Sequence, residues 1–135
     1  MEKDVNKSKI LAVDDEKINR MVLVEILDGP YELRCAENAK ECFDILETWV
    51  PDIILMDVKM PGVGGLEACQ YLRALPGIKE VSIIFVSALS MLEERLAGYD
   101  AGGDDYITKP FEEKELIKKI QLALTNQRMR GQLKE

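Results

Sequence analysis

The sequence contains no histidine, although it is 135 residues long. Histidine is the usual general base, phosphocarrier and transition-metal ligand near neutral pH, so no chemistry of this chain can depend on a histidine of its own. Cysteine is scarce as well. The three thiols show no CxxC spacing and leave one over after any pairing, which favours reduced, packed thiols over a zinc site or a disulfide framework. The remaining chemistry is that of carboxylates, hydroxyls, amines and a bound ion.

Long apolar runs and excess positive charge are also missing. No stretch approaches the roughly 18 uninterrupted apolar residues of a membrane span, and the charged start MEKDVNKSK does not resemble a signal peptide. The net charge of -7 and the pI near 4.8 disfavour nonspecific binding to nucleic acid, which is itself an anion. We therefore expect a cytoplasmic protein whose domain contacts neither membrane nor nucleic acid.

The chain alternates regularly between short apolar runs and segments with helical periodicity. Continuous runs at residues 10–13, 53–56 and 83–86 are typical of strands buried on both faces of a parallel sheet. Weaker strands are predicted at residues 31–36 and 105–108. Turn residues that should end helices stand at Gly29-Pro30, Pro51, Pro76-Gly77 and Gly98. The alternation predicts a doubly wound α/β fold with five parallel strands and five helices.

The helical segments carry apolar side chains three and four residues apart. In the first segment Ile18, Met21, Val22 and Ile26 form such a set, which predicts a helix there. The fourth helix is predicted to be short, over residues 91–97, because Gly98 follows it.

Polar residues follow four of the five predicted strands. Asp14 and Asp15 follow the first strand and Asp57 the third, while Ser87 follows the fourth and Lys109 the fifth. The carboxyl ends of parallel strands meet at one edge of the sheet, where ligands bind near the switch in strand order. We therefore expect these five side chains to form one site.

Such a site combines three carboxylates with an amine and a hydroxyl. Like charges this close either take up protons or bind a cation, and oxygen ligands without histidine or cysteine favour Mg²⁺. A phosphate beside the ion would find donors in Lys109, in Ser87 and in the backbone after Asp57. An ionised carboxylate can then act as a nucleophile and form an aspartyl phosphate.

Four motifs in this order resemble the response-regulator receiver domain of two-component signalling. They are VDDE at 13–16, LMDVKMPGVGGLE at 55–67, FVSA at 85–88 and DDYITKPF at 104–111. The resemblance covers residues 9–125 and implies a flavodoxin-like sheet with strand order 2-1-3-4-5. Residues 1–8 are then expected to be a flexible N-terminus. Residues 126–135 are expected to be a helical extension or a linker to an output domain.

The resemblance implies that Asp57 is the phosphorylated residue. It also implies that Asp15, Asp57 and the backbone carbonyl of Lys59 bind Mg²⁺, with Asp14 reaching the ion through water.

Further roles follow from the same resemblance. Ser87, Lys109 and the backbone of Ala88 are the expected phosphoryl contacts, and Lys109-Pro110 is the expected cis peptide. Ser87 and Tyr106 are the expected switch residues. Phosphorylation in this family draws the Ser87 hydroxyl to the phosphoryl group, and the Tyr106 ring turns inward. The surface of the fourth helix, fifth strand and fifth helix changes as a result.

By this resemblance the chain is a signalling receiver rather than an enzyme, and it catalyses only its own phosphorylation and slow dephosphorylation. The expected phosphodonor is a histidine kinase or a histidine-containing phosphotransfer protein. A homodimer through the fourth helix, fifth strand and fifth helix and a C-terminal output domain are further partners that the resemblance allows. Leu89 is apolar and cannot hold an attacking water, which predicts slow loss of the phosphoryl group.

Two other functions stay open at this stage. An Mg²⁺-dependent aspartyl-phosphate hydrolase of small phosphoesters would use the same carboxylates, but the best-known such enzymes have a second aspartate where Lys59 stands. A lysine is poorly matched to protonating a leaving alcohol near neutral pH. The other alternative is a binding module that acts without phosphorylation, although all five expected site residues are present.

Overall fold

A computed structural model describes residues 7–88 and 91–134 of the chain. The predicted N-terminal segment 1–8 lies mostly outside these residues, and so does Leu89. Five strands form a single parallel sheet in the order β2-β1-β3-β4-β5, which confirms the predicted strand order. Their bounds are β1 Lys9–Val13, β2 Glu32–Ala36, β3 Ile53–Asp57, β4 Ser82–Ser87 and β5 Asp105–Thr108.

Five α-helices cover the two faces of the sheet, as the doubly wound prediction requires. Their bounds are α1 Lys17–Leu27, α2 Ala39–Leu46, α3 Gly65–Arg73, α4 Leu92–Asp100 and α5 Glu113–Lys134, with a short 3-10 turn at Pro76–Ile78. Side chains of α1 and α5 pack on one face, and those of α2 and α3 pack on the other. Because both faces are covered, β3 is buried at every position, which explains its continuous apolar sequence.

The predicted first helix is present as α1, and its apolar set lies mostly on the outer side, although Ile26 packs against the core. Ile18 is 74% exposed and Met21 60% exposed, whereas Leu23 and Leu27 are buried against the sheet. The buried face also carries Arg20, whose Nη1 donates to the Asp14 carbonyl oxygen at 2.8 Å. A charged residue therefore interrupts the apolar pattern on the side of α1 that packs against the sheet. The solvent-facing side of α1 shows the more regular apolar pattern.

The predicted end of the fourth helix is wrong, because Gly98 lies inside α4. A Cβ atom at this position would lie 3.0 Å from Cδ2 of the buried Phe85 ring. The glycine therefore permits a close approach between the helix and the sheet rather than ending the helix.

Helix α5 continues through Gly131 to Lys134 without a break. Residues 126–134 are thus helical, while the receiver boundary after residue 125 stays a prediction. None of the helices in the described part of the chain is both long enough and apolar enough to cross a membrane. Cys35, Cys42 and Cys69 are free thiols, as the odd count and spacing predict.

Candidate functional site

Three carboxylates converge at the carboxyl edge of the sheet. Asp14 follows β1 and Asp57 ends β3; they are 3% and 6% exposed, while Asp15 points to the surface. One oxygen from each of the three lies within 4.8 Å of the others. An oxygen-only donor set of this density, without histidine or cysteine, fits a hard divalent cation such as Mg²⁺.

Lys109 supplies the positive charge of the site from the end of β5. Its Nζ lies 2.8 Å from Asp14 Oδ2 and 3.5 Å from Asp57 Oδ2. The backbone holds the residue in place, because the Lys109 N–H donates to the Ser87 carbonyl oxygen at 2.7 Å. The peptide bond from Lys109 to Pro110 is cis. The ammonium therefore sits between two carboxylates that belong to different strands.

This crowding shifts the pKa values of the site. Burial raises the pKa of Asp57 to about 6; Lys109 opposes the rise, and the nearby Asp14 and Asp15 add to it. Burial alone would lower the pKa of Lys109, but the hydrogen bond to Asp14 and the charge of Asp57 outweigh burial, so its pKa is raised. At neutral pH Asp57 is thus ionised and Lys109 is charged, which suits attack on an electrophilic phosphorus.

The carboxylates and Lys109 open on a cleft of about 240 Å³ at the molecular surface. Its lining is Asp15, Glu16, Asp57, Lys59, Ser87, Ala88 and Lys109. The structure thus brings together the residues expected to bind the ion and the phosphoryl group. Asp14 lies beside them, beneath the surface.

Two residues that fix Asp14 were not predicted from the sequence. The Glu16 N–H donates to Asp14 Oδ1 at 2.9 Å, and Arg20 donates to the Asp14 carbonyl oxygen. Glu16 directly follows the acid pair, so its place in the cleft could have been anticipated. Arg20 carries no such signal, because its role depends on how α1 packs.

Both expected switch residues are buried, and Ser87 is itself part of the cleft lining. Ser87 is 2% exposed and Tyr106 is 5% exposed, with the Tyr106 ring 6.5 Å from that of Phe85 between centroids. Both hydroxyls donate to Oε1 of Glu94 on α4. Burial together with this bond raises the pKa of Tyr106 to about 12. Sequence reasoning missed Glu94, which has the pattern of a solvated acid in a first helical turn.

The family model of the response regulator receiver domain matches residues 10–121 of the chain. The chain belongs to the response-regulator receiver family. The match covers the sheet from Ile10 onward and every residue of the acidic cleft, so this receiver has its candidate site inside the shared domain.

Curated proteins and solved structures agree with this assignment. The receiver is 36% identical to the response regulator MprA of Mycolicibacterium vanbaalenii over 86% of its own length and 50% of that protein. It is 38% identical to the probable transcriptional regulator ycf27 of Porphyra purpurea over 87% of its length and 48% of that protein. The chain therefore spans about half the length of these relatives.

Two solved structures illustrate the shared fold. A CheY-like receiver domain protein from Methanospirillum hungatei superposes with a TM-score of 0.85 at 29% identity, over 93% of this chain and 99% of that one. The chemotaxis protein CheY4 of Vibrio cholerae gives a TM-score of 0.83 at 28% identity, over 87% and 98%.

Proposed function

We propose that this receiver accepts a phosphoryl group on Asp57 and uses it as a signal. The observation that carries the proposal is the placement of the buried Asp57 carboxylate 3.5 Å from the Lys109 ammonium in a cleft lined by further acids. An Asp57 oxygen would attack the phosphorus of the donor. The new O–P bond forms as the N–P bond of a phosphohistidine breaks, and the leaving imidazole nitrogen keeps the electron pair and takes a proton from solvent.

The other residues of the cleft have separate roles in the proposed reaction. Lys109 would neutralise charge on the transferred oxygens, and the Ser87 hydroxyl and the Ala88 N–H would donate to them. Asp14, Asp15, Asp57 and the Lys59 carbonyl would hold Mg²⁺, which supplies positive charge to the phosphoryl oxygens when bound.

The phosphodonor must come from elsewhere, because this chain has no histidine. A histidine kinase or a histidine-containing phosphotransfer protein is therefore the proposed partner. Exposed apolar residues on α1 support a docking surface beside the cleft, since Ile18 and Met21 follow Glu16 closely and lie outside the core.

The output of the signal is proposed to involve the opposite side of the site. Leu92 is 61% exposed and Leu96 is 49% exposed on α4, which supports a homodimer or partner contact through α4, β5 and α5. Because the curated relatives are about twice as long, an output domain beside the receiver is also part of the proposal. The proposed location is the cytoplasm.

Intact mass spectrometry after incubation with Mg²⁺ and acetyl phosphate tests the proposed function. We expect the mass of one phosphoryl group, labile at alkaline pH as an acyl phosphate is, and we expect no adduct on Asp57→Asn. A chelator should prevent the reaction of the unaltered chain. Ser82→Ala serves as a control of ordinary packing, because Ser82 is buried at the other end of β4.

Other outcomes point to the other functions. Release of phosphate from many phosphoester molecules without an adduct would indicate a hydrolase. A folded protein that takes up no phosphoryl group from acetyl phosphate, phosphoramidate or a phosphorylated histidine protein would contradict the proposal and favour a phosphorylation-independent module.

A further inference from the structure

The backbone of Asp14 is held by a side chain that does not line the acidic cleft. Nη1 of Arg20, on α1, donates to the Asp14 carbonyl oxygen at 2.8 Å. Nη2 of the same guanidinium lies 3.8 Å from Glu37 Oε2, in the loop that follows β2. The planar guanidinium therefore spans the ends of two neighbouring strands, β1 and β2.

The contact with Arg20 acts on a different part of Asp14 from the contacts made within the site. The Asp14 carboxylate accepts from the Glu16 N–H at 2.9 Å and from Lys109 Nζ at 2.8 Å, so these two donors fix the side chain. Arg20 instead fixes the carbonyl group, which belongs to the planar peptide unit that leads to Asp15. The direction of that peptide determines where the backbone of Asp15, the second acid of the pair, begins.

The hydrogen bond to Asp14 is the stronger of the two contacts that Arg20 makes. The Arg20 side chain is 17% exposed, so the bond is largely sheltered from water, and its donor is charged. The side chain of Glu37 is 61% exposed, and an ion pair at such a place contributes little. We therefore expect the contact with the Asp14 carbonyl to determine what Arg20 does.

The charge of Arg20 and its hydrogen bond should affect cation binding in opposite directions. A positive charge beside three carboxylates lowers their attraction for a cation, so removal of the charge alone should strengthen Mg²⁺ binding. Removal of a group that orients metal ligands weakens metal binding instead, by roughly tenfold or more. The sign of the change in Mg²⁺ affinity therefore separates the two effects.

We propose that Arg20 is a positioning residue of the Mg²⁺ site, which orients the peptide between Asp14 and Asp15 through its hydrogen bond to the Asp14 carbonyl. The inference rests on the Mg²⁺ binding that is part of the proposed function, and it requires no phosphorylation. A residue of α1 then sets the affinity for the ion without lining the cleft.

The test compares Arg20→Met with Lys17→Met in the full chain. Lys17 is an exposed cation of α1 that lines the same surface groove as Arg20, so each variant loses one positive charge from the same helix. Titration with MgCl₂ at constant ionic strength, followed by the amide shifts of the cleft residues in ¹H–¹⁵N NMR, gives the Kd for Mg²⁺. We expect roughly tenfold weaker binding in Arg20→Met, and unchanged or slightly tighter binding in Lys17→Met.

Two results would overturn the proposal. One is a folded Arg20→Met protein that binds Mg²⁺ as tightly as the unaltered chain or more tightly, because the charge of Arg20 would then outweigh its hydrogen bond. The other is an equal loss of affinity in Lys17→Met, which would make the effect a general one of α1. Circular dichroism in metal-free buffer verifies that the variants are folded.

A conservative variant keeps the test decisive if Arg20→Met does not fold. Arg20→Lys retains the charge but replaces the planar guanidinium, which spans both loops, by a compact ammonium. We expect its affinity for Mg²⁺ to lie between those of the unaltered chain and Arg20→Met. An affinity equal to that of the unaltered chain would contradict the proposal, since a point charge would then be sufficient.

The same samples keep this inference distinct from the proposed function. Intact mass after incubation with Mg²⁺ and acetyl phosphate reports phosphorylation, whereas the NMR titration uses Mg²⁺ alone. Absence of an adduct on the unaltered chain would count against the proposed function and leave the comparison of the variants intact. Absence of Mg²⁺-dependent amide shifts in the unaltered chain would overturn the role of Arg20, whatever the mass shows.

Discussion

At the residue scale the energetics of the site centre on Asp57. Its pKa of about 6 in the folded protein lies above the ordinary value of 3.8, chiefly because the carboxyl is buried. Between those two pH values the folded protein binds more protons than the unfolded chain, so stability falls as the pH rises through that window. The site therefore costs stability at neutral pH until a cation or a phosphoryl group changes its charge balance.

Replacement of Asp57 by asparagine should accordingly stabilise the protein. In Mg²⁺-free buffer at about pH 7.5 we expect the free energy of unfolding of Asp57→Asn to exceed that of the unaltered chain by about 2 kcal/mol, because the amide does not ionise. Below about pH 3 the difference should vanish, since Asp57 is then largely protonated in both the folded and the unfolded state. Urea denaturation at the two pH values measures the effect.

Two controls make this result specific to the site. Asp100→Asn removes an exposed carboxylate at the end of α4 and should change stability little at either pH. Added Mg²⁺ should stabilise the unaltered chain more than it stabilises Asp57→Asn. The difference in the free energy of unfolding between the two proteins should therefore become smaller. Equal stability of the two proteins at about pH 7.5 without Mg²⁺ would mean that burial does not destabilise the charged Asp57.

At the scale of elements, the start of α3 rests directly on the loop that follows β3. The Gly65 N–H donates to the Val58 carbonyl oxygen at 2.8 Å, and a Cβ atom at Gly65 would overlap the Asp57 carbonyl oxygen. Both carbonyl groups belong to the backbone, so they cannot move aside as the end of a flexible side chain could. The absence of a side chain at Gly65 therefore fixes the distance between α3 and the residue that is proposed to be phosphorylated.

Gly65→Ala should disturb both folding and the site. We expect it to lower the free energy of unfolding by about 2–3 kcal/mol, as overpacking against backbone does, and to slow phosphorylation by acetyl phosphate. Gly131→Ala is the matched control, because a Cβ atom there meets nothing within 4 Å and alanine favours the helix. Urea denaturation and intact mass measure both effects, and a Gly65→Ala protein as stable as the Gly131→Ala protein would contradict this packing argument.

The elements also show which features the sequence predicts well. The strands were predictable because burial on both faces leaves continuous apolar runs, and the acids and lysine that follow them mark the site. The packing face of α1 was not predictable from the sequence, because Arg20 on the buried side donates to a backbone carbonyl and breaks the apolar pattern. Glu94 was missed for a related reason, since its contacts depend on how closely α4 docks, and that is determined by Gly98 and Phe85.

At the scale of the whole molecule, α5 connects the two edges of the sheet. Leu116 and Ile120 of α5 pack in the hydrophobic core against the sheet, and two turns later Gln127 reaches the amino ends of the strands. Its Nε2 donates to the Asp52 carbonyl oxygen at 2.7 Å and to Ser82 Oγ at 2.8 Å. These contacts lie at the edge opposite the acidic cleft, and they lead us to expect the end of the receiver beyond Gln127 rather than after residue 125.

Gln127→Ala should therefore weaken the fold without weakening the chemistry. We expect a loss of about 1–2 kcal/mol in the free energy of unfolding, because Ser82 is 3% exposed and would lose a partner that solvent cannot easily replace. Phosphorylation of the folded protein should proceed at an unchanged rate, since Asp57 lies at the other end of β3. Gln121→Ala, an exposed position on the same helix, controls for helix propensity. Urea denaturation could instead give the same loss in the free energy of unfolding for both variants. The contact of Gln127 with the sheet edge would then contribute nothing to stability, and the predicted receiver boundary after residue 125 would be retained.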